Sequence, residues 1–185
     1  MTDFERLKEI CRVACHERNA CRPGFEALMR TETVGDILQV WRQNWQDIYQ
    51  SKFADVMAGH IVEMGTRLRR EFRHNDVFVN ESSDRGLVIV CRPRQTVSVG
   101  GSARCYVFGD SGTVEAADHA QVYCRNSGVR VVLRGYAYGR LEAGSADIGD
   151  RAFLQGTPDT LQRSGYARFE GTVKSSQTET NDTTI

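Results

Sequence analysis

Cys11, Cys15, His16 and Cys21 form the densest group of soft metal ligands in the chain. Zinc takes four donors in a tetrahedron, commonly from cysteine pairs set on tight turns. Here Cys11 and Cys15 stand one helical turn apart and no second pair follows, so the expectation is thiols packed on a helix, with no metal ligand among them. A cysteine nucleophile needs a histidine and an orienting group beside it. Cys105 or Cys124 with His119 is the available combination, but both cysteines fall on the inward phase of the repeat described below, where a thiol is packing. The glycines of "SVGG" (98–101) and "GDSG" (109–112) lack the lysine and helix context of a phosphate-binding loop and read as turns. Asp110, Asp118 and His119, in turns, are the side chains a glycan- or peptide-acting enzyme would use. With nothing to pair them, the sequence assigns no catalytic residue, no cofactor and no metal.

Binding surfaces are better represented. Tyr106, Tyr123, Tyr136 and Tyr138 fall within or beside successive strands at a phase expected to face outward, and such aromatics can contact sugar rings or another protein. Arg67, Arg69, Arg70 and Arg73, with His74, gather in "RLRREFRH" at the end of an expected helix. Cations there complement the helix dipole, and a polyanion contact is the alternative. Trp41 and Trp45, one helical turn apart, read as core.

The 24 basic and 24 acidic side chains cancel over the chain and in both halves, so no long-range field favours nucleic acid or a membrane surface. The segment "MTDFERLKEICRV" has no apolar run resembling a leader or a membrane span, and the expected location is cytoplasmic, with the six cysteines as thiols. The 17 glycines against 3 prolines point to many tight turns.

These residues must be positioned by two kinds of element. Residues 1–76 carry a helical period. Thr2 and Glu5 make a capping box ahead of a helix over 3–17, and Pro23 opens a short second helix. Thr33 precedes a stripe of Val34, Ile37, Leu38, Trp41, Trp45, Ile48 and Tyr49. Phe53, Val56, Met57, His60, Ile61, Met64, Leu68 and Phe72 extend a further helix over five turns. A small antiparallel bundle is expected.

After Asn75 the period becomes two. The alternating residues Val97-Val99, Ala103-Cys105-Val107, Gly112-Val114-Ala116, Ala120-Val122-Cys124, Val129-Val131-Leu133, Gly139-Leu141-Ala143 and Ala146-Ile148 recur every eight to ten residues. These inward positions are small. A narrow stacked interior suits them better than a sheet sandwich about 10 Å thick. The expected fold class is therefore α+β: a helical region, 1–76, packed as a cap on a parallel β-helix-like solenoid, 77–173, then a disordered tail, 174–185. A coil would take two or three strands. The alternative is an antiparallel β-sandwich.

"ACRPGFEALMRTETVGDILQVWRQNW" (20–45), "VFVNE" and the run from "VSVGGSARCYVFGDSG" to "LRGYAYGRLEAG" carry a resemblance. They resemble a group of uncharacterised proteins from gut Bacteroidales and their phages or mobile elements, over roughly residues 10–155. The resemblance implies a shared helix-plus-β-repeat design and supplies no activity. In fold alone the repeat is also similar to bactofilin-like β-solenoids, some of which polymerise end to end.

Three functions follow as expectations. The first is a non-enzymatic structural or interaction protein that presents a solenoid surface to a protein or glycan, with self-association through the solenoid ends or the helical region. The others are a glycan- or peptide-acting enzyme on the solenoid face and a nucleic-acid contact through 67–74.

Overall fold

The structure, a computed structural model, describes residues 1–18, 20–51, 53–92 and 94–174. They fall into two compact units, Met1–Val79 and the residues from Asn80 onward. The first unit holds α1 (Asp3–Glu17), α2 (Arg22–Met29), α3 (Val34–Gln50), α4 (Phe53–Arg67), α5 (Arg69–His74) and a short strand β1 (Val77–Val79). The expected capping box forms, the Thr2 hydroxyl accepting the Glu5 N–H while the Glu5 carboxylate accepts the Thr2 N–H, and Thr33 and Asp36 make a second one. The Thr2 backbone N–H holds the Glu5 carboxyl below the usual range.

The core of this unit gathers Leu7, Cys11, Ile37, Leu38, Trp41, Trp45, Ile61, Met64 and Phe72, all essentially without solvent contact. Trp41 lies 5.5 Å from Trp45 and meets Phe72 edge-on at 6.2 Å, so the tryptophans are core. Gly65 lets β1 approach α4 closely, for a Cβ there would stand 2.9 Å from Val79. Two expectations need correction. The last helix is not continuous: it breaks at Leu68 (φ −104°, ψ 27°), and the turn re-aims α5 so that Phe72 meets Trp41. His60, expected on the apolar stripe, is exposed, because the buried line through Ile61 and Met64 passes one position away. The side chains of Phe53, Val56 and Met57 lie outside the described residues.

The second unit holds β2 (Leu87–Val90), β3 (Gln95–Val99), β4 (Arg104–Val107), β5 (Gly112–Ala116), β6 (Gln121–Cys124), β7 (Val129–Leu133), β8 (Tyr138–Leu141), β9 (Ser145–Ile148), β10 (Phe153–Gly156), β11 (Thr160–Arg163) and β12 (Arg168–Gly171). Each strand pairs in parallel with the strand two places on. Even-numbered strands make one sheet of this unit and odd-numbered strands the other. One strand of each sheet makes a coil, five coils run from β2 to β11, and β12 opens the next. This is a β-solenoid, and the parallel pairing rules out the antiparallel sandwich.

The inward phase is the one the alternation gives. Val97, Val99, Ala103, Cys105, Val107, Val114, Ala116, Ala120, Val122, Cys124, Val129, Val131, Leu133, Leu141, Ala146 and Ile148 are all buried. At Gly139 the missing side chain makes room for a neighbour: a Cβ would stand 2.7 Å from Leu133 and 3.1 Å from Leu154. Coil length, which the sequence left open, is two strands. It is 17 residues where Gln121 pairs with Tyr138 and 15 where Tyr138 pairs with Phe153. The loss falls at one corner: between the paired positions Cys124–Leu141 and Arg130–Ser145, residues 125–129 give way to 142–144.

Beyond β10 the solenoid continues with β11 and β12. Of the expected tail, Lys174 pairs with Asp159 at 3.5 Å, and the remainder lies outside the described residues. Among the described residues no helix is long and apolar enough to cross a membrane.

Candidate functional site: an exposed column on one solenoid corner

The corner that leads from the odd sheet back to the even sheet has four residues in every coil: 100–103, 117–120, 134–137, 149–152 and 164–167. Its second residue is left-handed each time: Gly101 (φ 49°), Asp118 (55°), Gly135 (63°), Asp150 (55°) and Gly165 (63°). Glycine and aspartate are among the few residues that take this conformation at modest cost. The fourth residue is always alanine, Ala103, Ala120, Ala137, Ala152 or Ala167, and each is buried, small enough for the narrow interior.

The third residue points outward. Its N–H donates to the carbonyl of the left-handed residue one coil earlier: His119 to Gly101, Tyr136 to Asp118, Arg151 to Gly135 and Tyr166 to Asp150, at 2.7 to 3.1 Å. Ser102, His119, Tyr136, Arg151 and Tyr166 are therefore stacked one per coil, and all five are exposed. The His119 and Tyr136 rings stack at 5.4 Å with 17° between their planes. The Arg151 guanidinium lies 5.7 Å from the Tyr136 ring centre, and its Nη1 donates to the Tyr136 hydroxyl at 2.9 Å. Tyr136 is 55% exposed and Tyr166 82%. With Arg151 and Arg168 they line an open groove of about 370 Å³. Arg130 and Arg134 are both bound to Asp147, whereas Arg151 and Arg168 meet no carboxylate among the described residues.

Of the four tyrosines expected outside, only Tyr136 joins this column. Tyr106 is corrected: it leaves the solenoid on the outward phase, yet it is 1% exposed and stacks face to face on Tyr123 at 4.6 Å. Tyr123 and Tyr138 are half-buried on the outer face of the even sheet, edge to face at 6.1 Å, and Tyr138 continues the run to Phe153 at 5.8 Å. Their hydroxyls donate to Gln121 and Gln155, and partial burial raises both phenol pKa values. This second ladder glues neighbouring strands and offers little free ring surface.

In the basic segment, Arg67 is ion-paired with Asp3, Arg69 and Arg73 hold partners of their own, and Arg70 is exposed. The charge is thus partly spent within the protein. The thiols of Cys105 and Cys124 are interior, and burial pushes Cys105 far up and Cys124 to about 11. His119 stands outside the wall on Tyr136, so the structure does not bring thiol and imidazole together. The Asp118 carboxylate accepts the Gly101 N–H at 3.0 Å and is a turn-capping group. Cys11 is buried in the helical unit with its pKa raised, and Cys21 is exposed.

Sequence reasoning missed Tyr166, Arg151 and Arg168. A signal was present: "RGYA" at 134–137 returns as "SGYA" at 164–167, the same corner two coils later. Comparison with protein-family models, with curated proteins and with solved structures finds no match for this chain.

Proposed function

We propose that the protein is a non-catalytic binding protein that holds its partner, a glycan or a protein surface, along the solenoid corner through Tyr136 and Tyr166. The observation that carries this reading is their exposure. Among the described residues they are the large apolar side chains of the solenoid left open to solvent, and they share one column and one groove. Exposed aromatics gathered in one place mark contact surfaces, since each supplies a broad flat face at little conformational cost. The carboxylates nearest the column, Asp118 and Asp150, are committed to the backbone N–H groups of Gly101 and Gly135, which favours binding over acid–base chemistry.

Arrays of glycans and of peptides, probed with the full chain and with a Tyr136→Ala/Tyr166→Ala variant, test it. Signals that fall about tenfold or more in the variant, at unchanged melting temperature, support the reading. Signals that survive the double substitution, or none from the wild type, overturn it.

A further inference from the structure

We infer that the corner column takes an extended β-linked glycan in which neutral and anionic sugars alternate, laid along the solenoid axis. This rests on the binding reading above and adds the chemistry of the ligand. Neighbouring parallel strands stand about 4.8 Å apart, so side chains two coils apart are separated by about 9.5 Å along the axis. Tyr136 and Tyr166 are two coils apart, with Arg151 on the coil between them. That separation is of the order of one disaccharide of an extended β-linked chain. Two sugars of the same kind then lie beside the two phenols, and the sugar between them faces Arg151.

The chemistry at each position is specific. Tyr166, 82% exposed, offers an apolar ring face to the C–H face of a neutral sugar, and Tyr136, with His119 stacked on one face, offers its remaining exposed ring surface. A guanidinium offers five N–H donors in a fixed fork, suited to a carboxylate or sulfate. Arg151 spends one donor on the Tyr136 hydroxyl, and Arg168, two residues beyond Tyr166, lines the same groove. Arg151, on the coil between the two tyrosines, and Arg168, beside Tyr166, have no carboxylate partner among the described residues and match an anionic sugar flanked by two neutral ones. The platform is also rigid, because each member of the column is held by a backbone hydrogen bond to the preceding coil, and little ordering is left to be lost on binding. A single-stranded nucleic acid would use stacking too, but it carries a charge at every unit and relies on a basic groove. The chain is formally neutral, so the glycan is favoured.

Calorimetric titration of the full-length protein with hyaluronan oligosaccharides, which alternate a uronate and a neutral amino sugar, tests this against chitin oligosaccharides and oligo-dT. The expected result is binding of hyaluronan at least about tenfold tighter than chitin, lost with Tyr136→Ala or Tyr166→Ala. Arg151→Met and Arg168→Met should each weaken hyaluronan about tenfold and leave chitin unchanged. Equal affinity for both oligosaccharides, still dependent on the tyrosines, removes the anionic ligand and leaves the binding strip standing. Preferred, strongly salt-dependent binding of oligo-dT overturns the glycan. Oligosaccharide binding indifferent to the tyrosine substitutions overturns both readings, as does no binding of any probe together with silent arrays.

Discussion

The carboxylate of Asp118 accepts the backbone N–H of Gly101, one coil earlier, at 3.0 Å, and Asp150 does the same for Gly135 at 2.9 Å. Each aspartate also holds the left-handed position of its own corner. One residue therefore supplies a tolerated backbone and a bond to the coil below. Asp118→Ala should lose both, about 2 kcal/mol together, whereas Asp118→Gly loses the bond and eases the backbone, about 1 kcal/mol. Urea unfolding of the two variants checks the order. An alanine variant as stable as the glycine one would show that the backbone conformation costs nothing here.

Replacing Val122 or Val131 by Asp should unfold the solenoid, since each is fully buried and a carboxylate there has no partner; a cost of several kcal/mol is expected. Asn126 stands at the corner between β6 and β7. The Asn126 amide donates to the Gly109 carbonyl at 2.6 Å across the coil, so its loss should cost about 1 to 2 kcal/mol. Ser127→Ala, at the exposed tip beside it, is the silent control. Equal melting temperatures for the Asn126 and Ser127 variants would remove the bond from the account.

Native alkylation with a water-soluble reagent should label Cys21, the exposed thiol, before any other. Cys105 and Cys124 should react only after unfolding, because they lack access and burial disfavours their thiolates. Peptide mapping after timed quenching reads the order. Early modification of Cys105 would place it outside the wall.

The same thiols make stability depend on alkaline pH. Burial raises Cys124 from an ordinary 9.0 to about 11 and Cys91 to about 12. In the unfolded chain they ionise near 9, so above that pH the unfolded state binds fewer protons than the folded one. The stabilisation is complete below pH 9 and is lost as pH rises from there toward 11 and 12. Melting temperature should fall over that window, and Cys124→Ala should make the fall shallower. An unchanged slope in that variant would mean that Cys124 ionises normally in the fold.

The solenoid interior was legible because its code is short and strict. A residue such as Val131 must be small or branched and must recur at period two, and little else satisfies a narrow parallel interior. The start of the first helix was legible for a similar reason, since Thr2 with Glu5 satisfies orphan N–H groups within a few residues. Coil composition was not legible, because a strand-turn-strand phrase reads alike whether two or three phrases close a coil. The exposed column was hidden for another reason. Ser102, His119, Tyr136, Arg151 and Tyr166 share a position without sharing a chemistry, and tyrosine alone recurs, two coils apart, too sparse a repeat to stand out. Tyr106 misled because phase tells which side of the wall a residue leaves from and nothing about what lies beyond. The break at Leu68 is a decision of packing, made by Phe72 against Trp41, and leaves no mark on the apolar period.

The coils change from 17 to 15 residues, and the missing pair is taken from the corner that follows the even sheet, while the corner bearing the exposed column keeps four residues in every coil. Insertions and deletions on the first side alter the girth of the tube and leave its graduations alone. The column thus works as a ruler whose divisions are set by hydrogen-bonded backbone, and a chain that drifts in length can still measure the same spacing. Lengthening the scale would take a duplicated coil, fifteen or seventeen residues at a stroke, whereas a single residue inserted into 134–137 would erase a division.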